Sequence, residues 1–119
     1  MAGLVVRHAD AEQWESAERF GFPPGVECLV FHEAEELDGV ITVIGRMPPG
    51  FVEPAHTHED VDHWGVIVDG EMHVDGEVLR PGDYLYAPSG VEHGPFIYPV
   101  GCTIFTTVRG RSFDHDFER

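Results

Sequence analysis

The chain has 119 residues, which fits one domain with one hydrophobic core. Seven Lys and Arg stand against 22 Asp and Glu, a formal charge of −15, so long-range repulsion argues against nucleic acid and anionic membrane as partners. Two cysteines, Cys28 and Cys102, no leader-like N-terminus and apolar runs too short for a bilayer point to a cytoplasmic protein with two free thiols.

Residues 1–25 read as an N-terminal arm. It holds a short strand at Leu4–Arg7 and one or two helical turns within Asp10–Arg19, begun by Asp10, Glu12 and Glu15, with Trp14 and Phe20 tucked against the body. Gly21-Phe22-Pro23-Pro24-Gly25 breaks regular structure and hands over to the main body, residues 26–109. There the pattern is short strands parted by turn residues, the signature of an all-β sandwich or barrel. Strands are expected at Val26–His32, Val40–Met47, Val52–His58, His63–Val68, Glu71–Val74, Glu77–Leu79, Tyr84–Ala87, Val91–Tyr98 and Cys102–Val108. Asp75-Gly76 is a two-residue hairpin signal, since both positions tolerate positive φ. The tail, residues 110–119, reads as loosely packed. Val66, Ile67 and Val68 are apolar on both parities, so this strand is expected to be covered on both faces, inside by the core and outside by a second copy in a homodimer.

Histidines dominate the chemistry. His56 and His58 are two apart, which on an extended strand sends both imidazoles from one face, the minimum for two nitrogens to converge on one ion. His63 and His93 extend this to a metal-site reading, whereas His8, His32, His73 and His115 read as solvated. The spacing Gly50, five residues, His56-x-His58, four residues, His63, six residues, Gly70 resembles the first motif of the cupin superfamily. Gly82, five residues, Pro88-x-Gly90, two residues, His93 resembles the second.

The resemblance, to a small single-domain (type-2) cupin, implies an all-β jelly-roll barrel with a divalent metal inside, held by His56, His58 and His93 together with the residue at the family's glutamate position. Here that residue is His63; Asp62, one residue earlier, is the alternative ligand. Where the second motif ends in Asn this chain has Ile97. Alternation along each strand from the histidines places Val52, Gly65, Ile67, Pro95 and Ile97 as apolar or small pocket walls, and turns Glu53 and Glu92 to the surface. Trp64, Tyr84, Tyr86, Phe96 and Phe105 read as core or dimer packing.

Four neutral imidazoles would leave an ion its full double charge and favour chelating anionic oxygens such as an enolate. Imidazole suits zinc, iron, nickel and copper, and manganese occurs in sites of this shape, so the metal is left open. The expected function is a metal-dependent small-molecule enzyme. Oxygenation of an enol, diketone or phenolic substrate leads; a zinc-dependent, non-redox reaction like that of polyketide-cyclase cupins, or a metal- or ligand-sensing module, are the alternatives.

Overall fold

The computed structural model describes residues 3–9, 13–33, 39–57 and 61–110. Ten strands follow in chain order: β1 (Glu15–Ser16), β2 (Glu27–His32), β3 (Val40–Met47), β4 (Phe51–Glu53), β5 (Val61–Gly70), β6 (Met72–Val74), β7 (Glu77–Leu79), β8 (Tyr84–Ala87), β9 (Phe96–Tyr98) and β10 (Cys102–Gly110). They form a six-stranded sheet in the order β1-β2-β3-β10-β5-β8 and a four-stranded sheet in the order β4-β9-β6-β7, as a jelly-roll barrel requires.

Local chemistry explains the connections. Asp75 and Gly76 sit at φ 55° and 78°, the mirror-image turn whose twist matches the flanking strands, and β6 and β7 pair directly across it. Gly70, the last position of the first motif, has φ +81°, and a Cβ there would collide with the Gly101 carbonyl. Only glycine lets the end of β5 lie so close to the start of β10.

The core lies between the sheets. Along β10, Cys102, Ile104, Thr106 and Val108 point inward and are buried, while Phe105 and Arg109 point out. Ile67 and Tyr98 are buried from opposite sheets. Cys28 and Cys102 are buried free thiols whose ionisation burial pushes up to about 11.

Several expectations need correction. No strand forms at Leu4–Arg7; Leu4, Val5 and Val6 are exposed, and the segment is tied down by Arg7, whose Nε donates to the Phe31 carbonyl at 3.0 Å. Of the helical turns expected within Asp10–Arg19, the described residues carry one 3-10 turn, over Ala17–Phe20, capped by the Ser16 hydroxyl. Ala17 and Phe20 enter the main core, so this part of the arm is built into the body. Trp14 lies under the Arg46 guanidinium, 3.8 Å from the ring centre. Residues 10–12 and the tail 111–119 lie outside the described residues.

The strands expected at Val52–His58 and Val91–Tyr98 are each interrupted. Glu53 pairs with Phe96, and the same register resumes at an isolated bridge between His56 and His93. Between these points Pro54-Ala55 and Gly94-Pro95 carry no ladder, because neither proline has an N–H to donate. Val66 and Val68 are exposed on the outer face of the large sheet, where the sequence pattern expected a cover.

Candidate functional site

The interrupted ladder builds the site. Glu53 and Phe96 are inward-facing, and strict alternation would turn His56 and His93 outward. The break at Pro54-Ala55 and Gly94-Pro95 shifts both chains by one position, so Glu53, His56 and Phe96 are all buried. Gly94, at φ +102°, permits the close approach: a Cβ there would stand 3.0 Å from the Cα of Ala55.

Two short backbone contacts fix the rings. His56 Nδ1 donates to the Pro54 carbonyl at 2.7 Å and His93 Nδ1 to the Val91 carbonyl at 3.1 Å. With the proton held on Nδ1, each neutral ring presents its Nε2 lone pair, and the two Nε2 atoms face each other at 3.1 Å. Two lone pairs at that distance repel unless a proton or a cation lies between them. Burial pushes both imidazoles below their ordinary pKa, and proximity to His56 lowers His93 further, although the carbonyl contacts oppose the shift in both.

His63, on β5, projects inward with Gly65 and Ile67, and its ring centre lies 6.3 Å from that of His93. Asp62 points elsewhere: its Oδ1 accepts the Ser89 N–H at 2.9 Å and fixes the turn after β8. Between the two candidates for the glutamate position, His63 is the one beside the other histidines. His58 lies outside the described residues. Among the described residues no group of three or more histidine, cysteine, aspartate or glutamate side chains is arranged to hold a metal ion.

Of the expected walls, Gly65 and Ile67 are buried, whereas Val52, Pro95 and Ile97 face outward. Alternation counted from His56 and His93 assigned them to the pocket, and the one-position shift at the two prolines reverses the result. The same shift brings in Glu53, which the alternation had placed at the surface. Its side chain is buried, Oε1 accepts the Tyr98 hydroxyl at 3.1 Å, and Oε2 lies 3.5 Å from His56 Nε2. Burial raises the Glu53 carboxyl to about 7, with the Tyr98 hydrogen bond pulling the other way. The readable signal was the pair of prolines, Pro54 and Pro95, each within two residues of a motif histidine.

Beside these groups lies a cavity of about 60 Å³, lined by Phe20, Met47, Met72, Leu85, Phe96 and Ile104, with Glu53 and His63 as its charged or titratable members near the histidines. Leu85 and Phe96 also line an outer groove of about 310 Å³, whose walls include Tyr84, Tyr86, Val91 and His93. The histidines thus stand between an apolar interior and a groove that reaches the surface. Such a place can orient a small molecule with an apolar body and a polar head.

A family model described as the ChrR cupin-like domain matches residues 3–110. No curated protein matches the chain. Among solved structures it is similar to KdgF from Halomonas sp., with a TM-score of 0.71, 23% identity, and 88% of this chain and 94% of that chain covered. It is similar to an acetylacetone dioxygenase from Acinetobacter johnsonii, with a TM-score of 0.69, 22% identity, and 92% and 76% covered. A structure of Rhodobacter sphaeroides SigE in complex with the anti-sigma ChrR matches with a TM-score of 0.60, 19% identity, and 87% of this chain and 52% of that chain covered. At these identities the likeness shows the fold alone. Among the described residues no helix is long and apolar enough to cross a membrane.

Proposed function

The chain belongs to the ChrR cupin-like domain family, and from that membership and its facing histidines we propose that it is a metal-dependent oxygenase of a small enol or diketone. The observation that carries the reading is the Nε2 pair at 3.1 Å. Two nitrogens each about 2.1 Å from one ion stand about 3.0 Å apart at a right angle and about 3.4 Å apart at the tetrahedral angle. The observed spacing falls in that range, and both Nδ1–H groups are held by carbonyls, the outer contact that orients imidazole ligands. His56 and His93 would hold the metal with His63 and, from the sequence pattern, His58.

A bound divalent ion would supply Lewis acidity toward a chelating oxygen pair, and zinc, iron, manganese, nickel and copper all suit imidazole. The protein's own part is to bind and orient. The cavity of about 60 Å³ has room for about four to six water-sized positions, enough for a few heavy atoms. That size favours a short diketone over a flavonol or polyketide, and Met47, Met72 and Ile104 would seat its carbon skeleton away from water. The fold is also that of the acetylacetone dioxygenase from Acinetobacter johnsonii. The test is oxygen uptake by protein loaded in turn with iron, nickel, manganese and copper and given a short β-diketone. Uptake that depends on both metal and diketone is expected; none with any pairing would sink the oxygenase reading.

The family description and the likeness to a structure containing the anti-sigma ChrR favour a second reading, a metal- or ligand-sensing domain acting through a protein partner. Metal content separates the readings further: zinc alone in protein purified without added metal would favour sensing or non-redox, cyclase-like chemistry, while iron, manganese or copper would favour oxygenation.

We also infer a homodimer. Ladder partners Ile44, Phe105, Val66 and Tyr84 form one apolar row across the outer face of the large sheet, and Thr42, Thr107, Trp64 and Tyr86 form the next. In so acidic a chain these two rows, free of charged side chains between the flanking Arg46 and Asp69 on one side and Asp62 and Arg109 on the other, are where two copies can meet with least repulsion.

A further inference from the structure

The cavity between the sheets has two unlike ends. Its lining crosses the large sheet from Cys28 on β2, through Gly45 on β3 and Ile104 on β10, to His63 on β5 and Leu85 on β8. Four inter-strand steps separate β2 from β8, about 19 Å at about 4.8 Å each. His63 and Leu85 stand at one end, and Ala17, Phe20 and Phe22, which follow β1 at the far edge of the sheet, stand at the other. This far wall is held rigidly. The Ala17 N–H donates to the Val26 carbonyl at 2.9 Å, the Gly21 N–H to the Glu18 carbonyl at 2.9 Å, and Arg19 bridges Glu15 on β1 and Glu33 after β2 at 2.6 and 2.8 Å. The Phe20 ring is thereby fixed in the core, against the cavity. Between the two ends, Gly45 leaves room in the lining: an added Cβ would stand 3.4 Å from Met47 Cε and 3.8 Å from Ile104 Cγ2, which are ordinary contacts.

We propose that Phe20 and Gly45 are specificity-determining residues that set the length of alkyl tail this cavity accepts. The ligand's polar head lies at the histidine end, its tail runs past Gly45, and the Phe20 ring stops it. This rests on the reading above that a small molecule with an apolar body occupies the cavity. Because the interior is close-packed and the wall is pinned, a tail that fits gains with each carbon it buries, and one carbon too many meets a ring that cannot retreat. Affinity should therefore rise by about fourfold per methylene up to a cut-off length and then stop rising. The cut-off belongs to the arm: the residue that sets it comes from the segment before β2, and the groups at the head end come from the barrel strands.

The experiment titrates the full chain, without added metal, with linear 1-alkanols and with linear 2,4-diones of increasing length. The methyl NMR signals of Met47 and Met72, both in the cavity lining, report filling directly, and circular dichroism checks the fold. Phe20→Leu withdraws the ring and should move the cut-off to longer tails, so that the first ligand past the wild-type limit gains about fourfold in affinity. Gly45→Ala adds a methyl midway and should move the cut-off to shorter tails. A folded variant of either kind that keeps the wild-type cut-off would overturn the proposal, and Gly45→Ala alone decides if Phe20→Leu does not fold. If the alkanols show both shifts and no dione binds, the length limit stands and the diketone reading fails. If the diones bind with a cut-off that neither variant moves, the diketone reading survives and the roles of Phe20 and Gly45 do not. If neither series moves the methionine signals of the wild-type chain, both fall together.

Discussion

Replacing Glu53 by Gln in the metal-free protein should raise its stability above neutral pH and leave it unchanged in mild acid. Burial lifts the Glu53 carboxyl from 4.5 to about 7, so between those values the folded chain holds a proton that the unfolded chain releases. Stability therefore falls as pH rises through this window, and the full penalty is present above about 7. A displacement from 4.5 to 7, at about 1.4 kcal/mol per pKa unit, corresponds to about 3–4 kcal/mol. His56 and His93, whose pKa values are lowered, act in the opposite sense: their contribution is lost as pH falls below the unfolded value of about 6.5. Both proteins keep both histidines, and the comparison is read at pH 8, where the lowered pKa values leave both imidazoles neutral. The assay is urea unfolding in the presence of a chelator at about pH 4.5, 6 and 8. Near pH 4.5 the two proteins should coincide, and at pH 8 the Gln variant should be more stable by about 3–4 kcal/mol. A difference that does not change with pH, or a variant less stable at pH 8, would refute the idea that burial raises the Glu53 carboxyl in the metal-free state.

Further outcomes follow from particular contacts. Gly70→Ala should lower stability by about 2–4 kcal/mol in the same unfolding assay, since the added methyl meets the Gly101 carbonyl at a left-handed φ. Asp62→Asn should leave metal affinity by calorimetry within about twofold, because Asp62 holds the Ser89 N–H and does not face the histidines. A large loss there would reopen Asp62 as a ligand. If two copies meet on the outer face as proposed, Phe105→Glu should give a monomer in sedimentation analysis without loss of the fold, because it places a charge within the apolar row of Ile44, Val66 and Tyr84. An unchanged sedimentation coefficient would place any dimer contact elsewhere.

The strands away from the site were legible because their alternation is uninterrupted. Val40–Met47 and Tyr84–Ala87 stand where the sequence pattern placed them, and the Asp75-Gly76 hairpin needed only two adjacent residues tolerant of positive φ. The arm was misread because a local apolar run at Leu4–Arg7 says nothing about whether a partner strand is within reach. Around the site, the alternation rule failed at Val52, Pro95 and Ile97 and hid Glu53, because it assumes a continuous pleat. Two prolines facing each other across a ladder break that pleat, and their being opposite is a fact of pairing rather than of either strand alone.

By itself, then, the sequence determined the class of fold and the histidine pattern. Strand length, turn residues and motif spacing are local quantities, written in residues a few positions apart. Only the tertiary structure decided which side chains share the site. It brought His93 to 3.1 Å from His56, turned Asp62 toward Ser89, and buried Glu53 against Tyr98 from strands 45 residues apart in the chain. Those outcomes depend on register and on where a pleat breaks, which are set when separate strands meet.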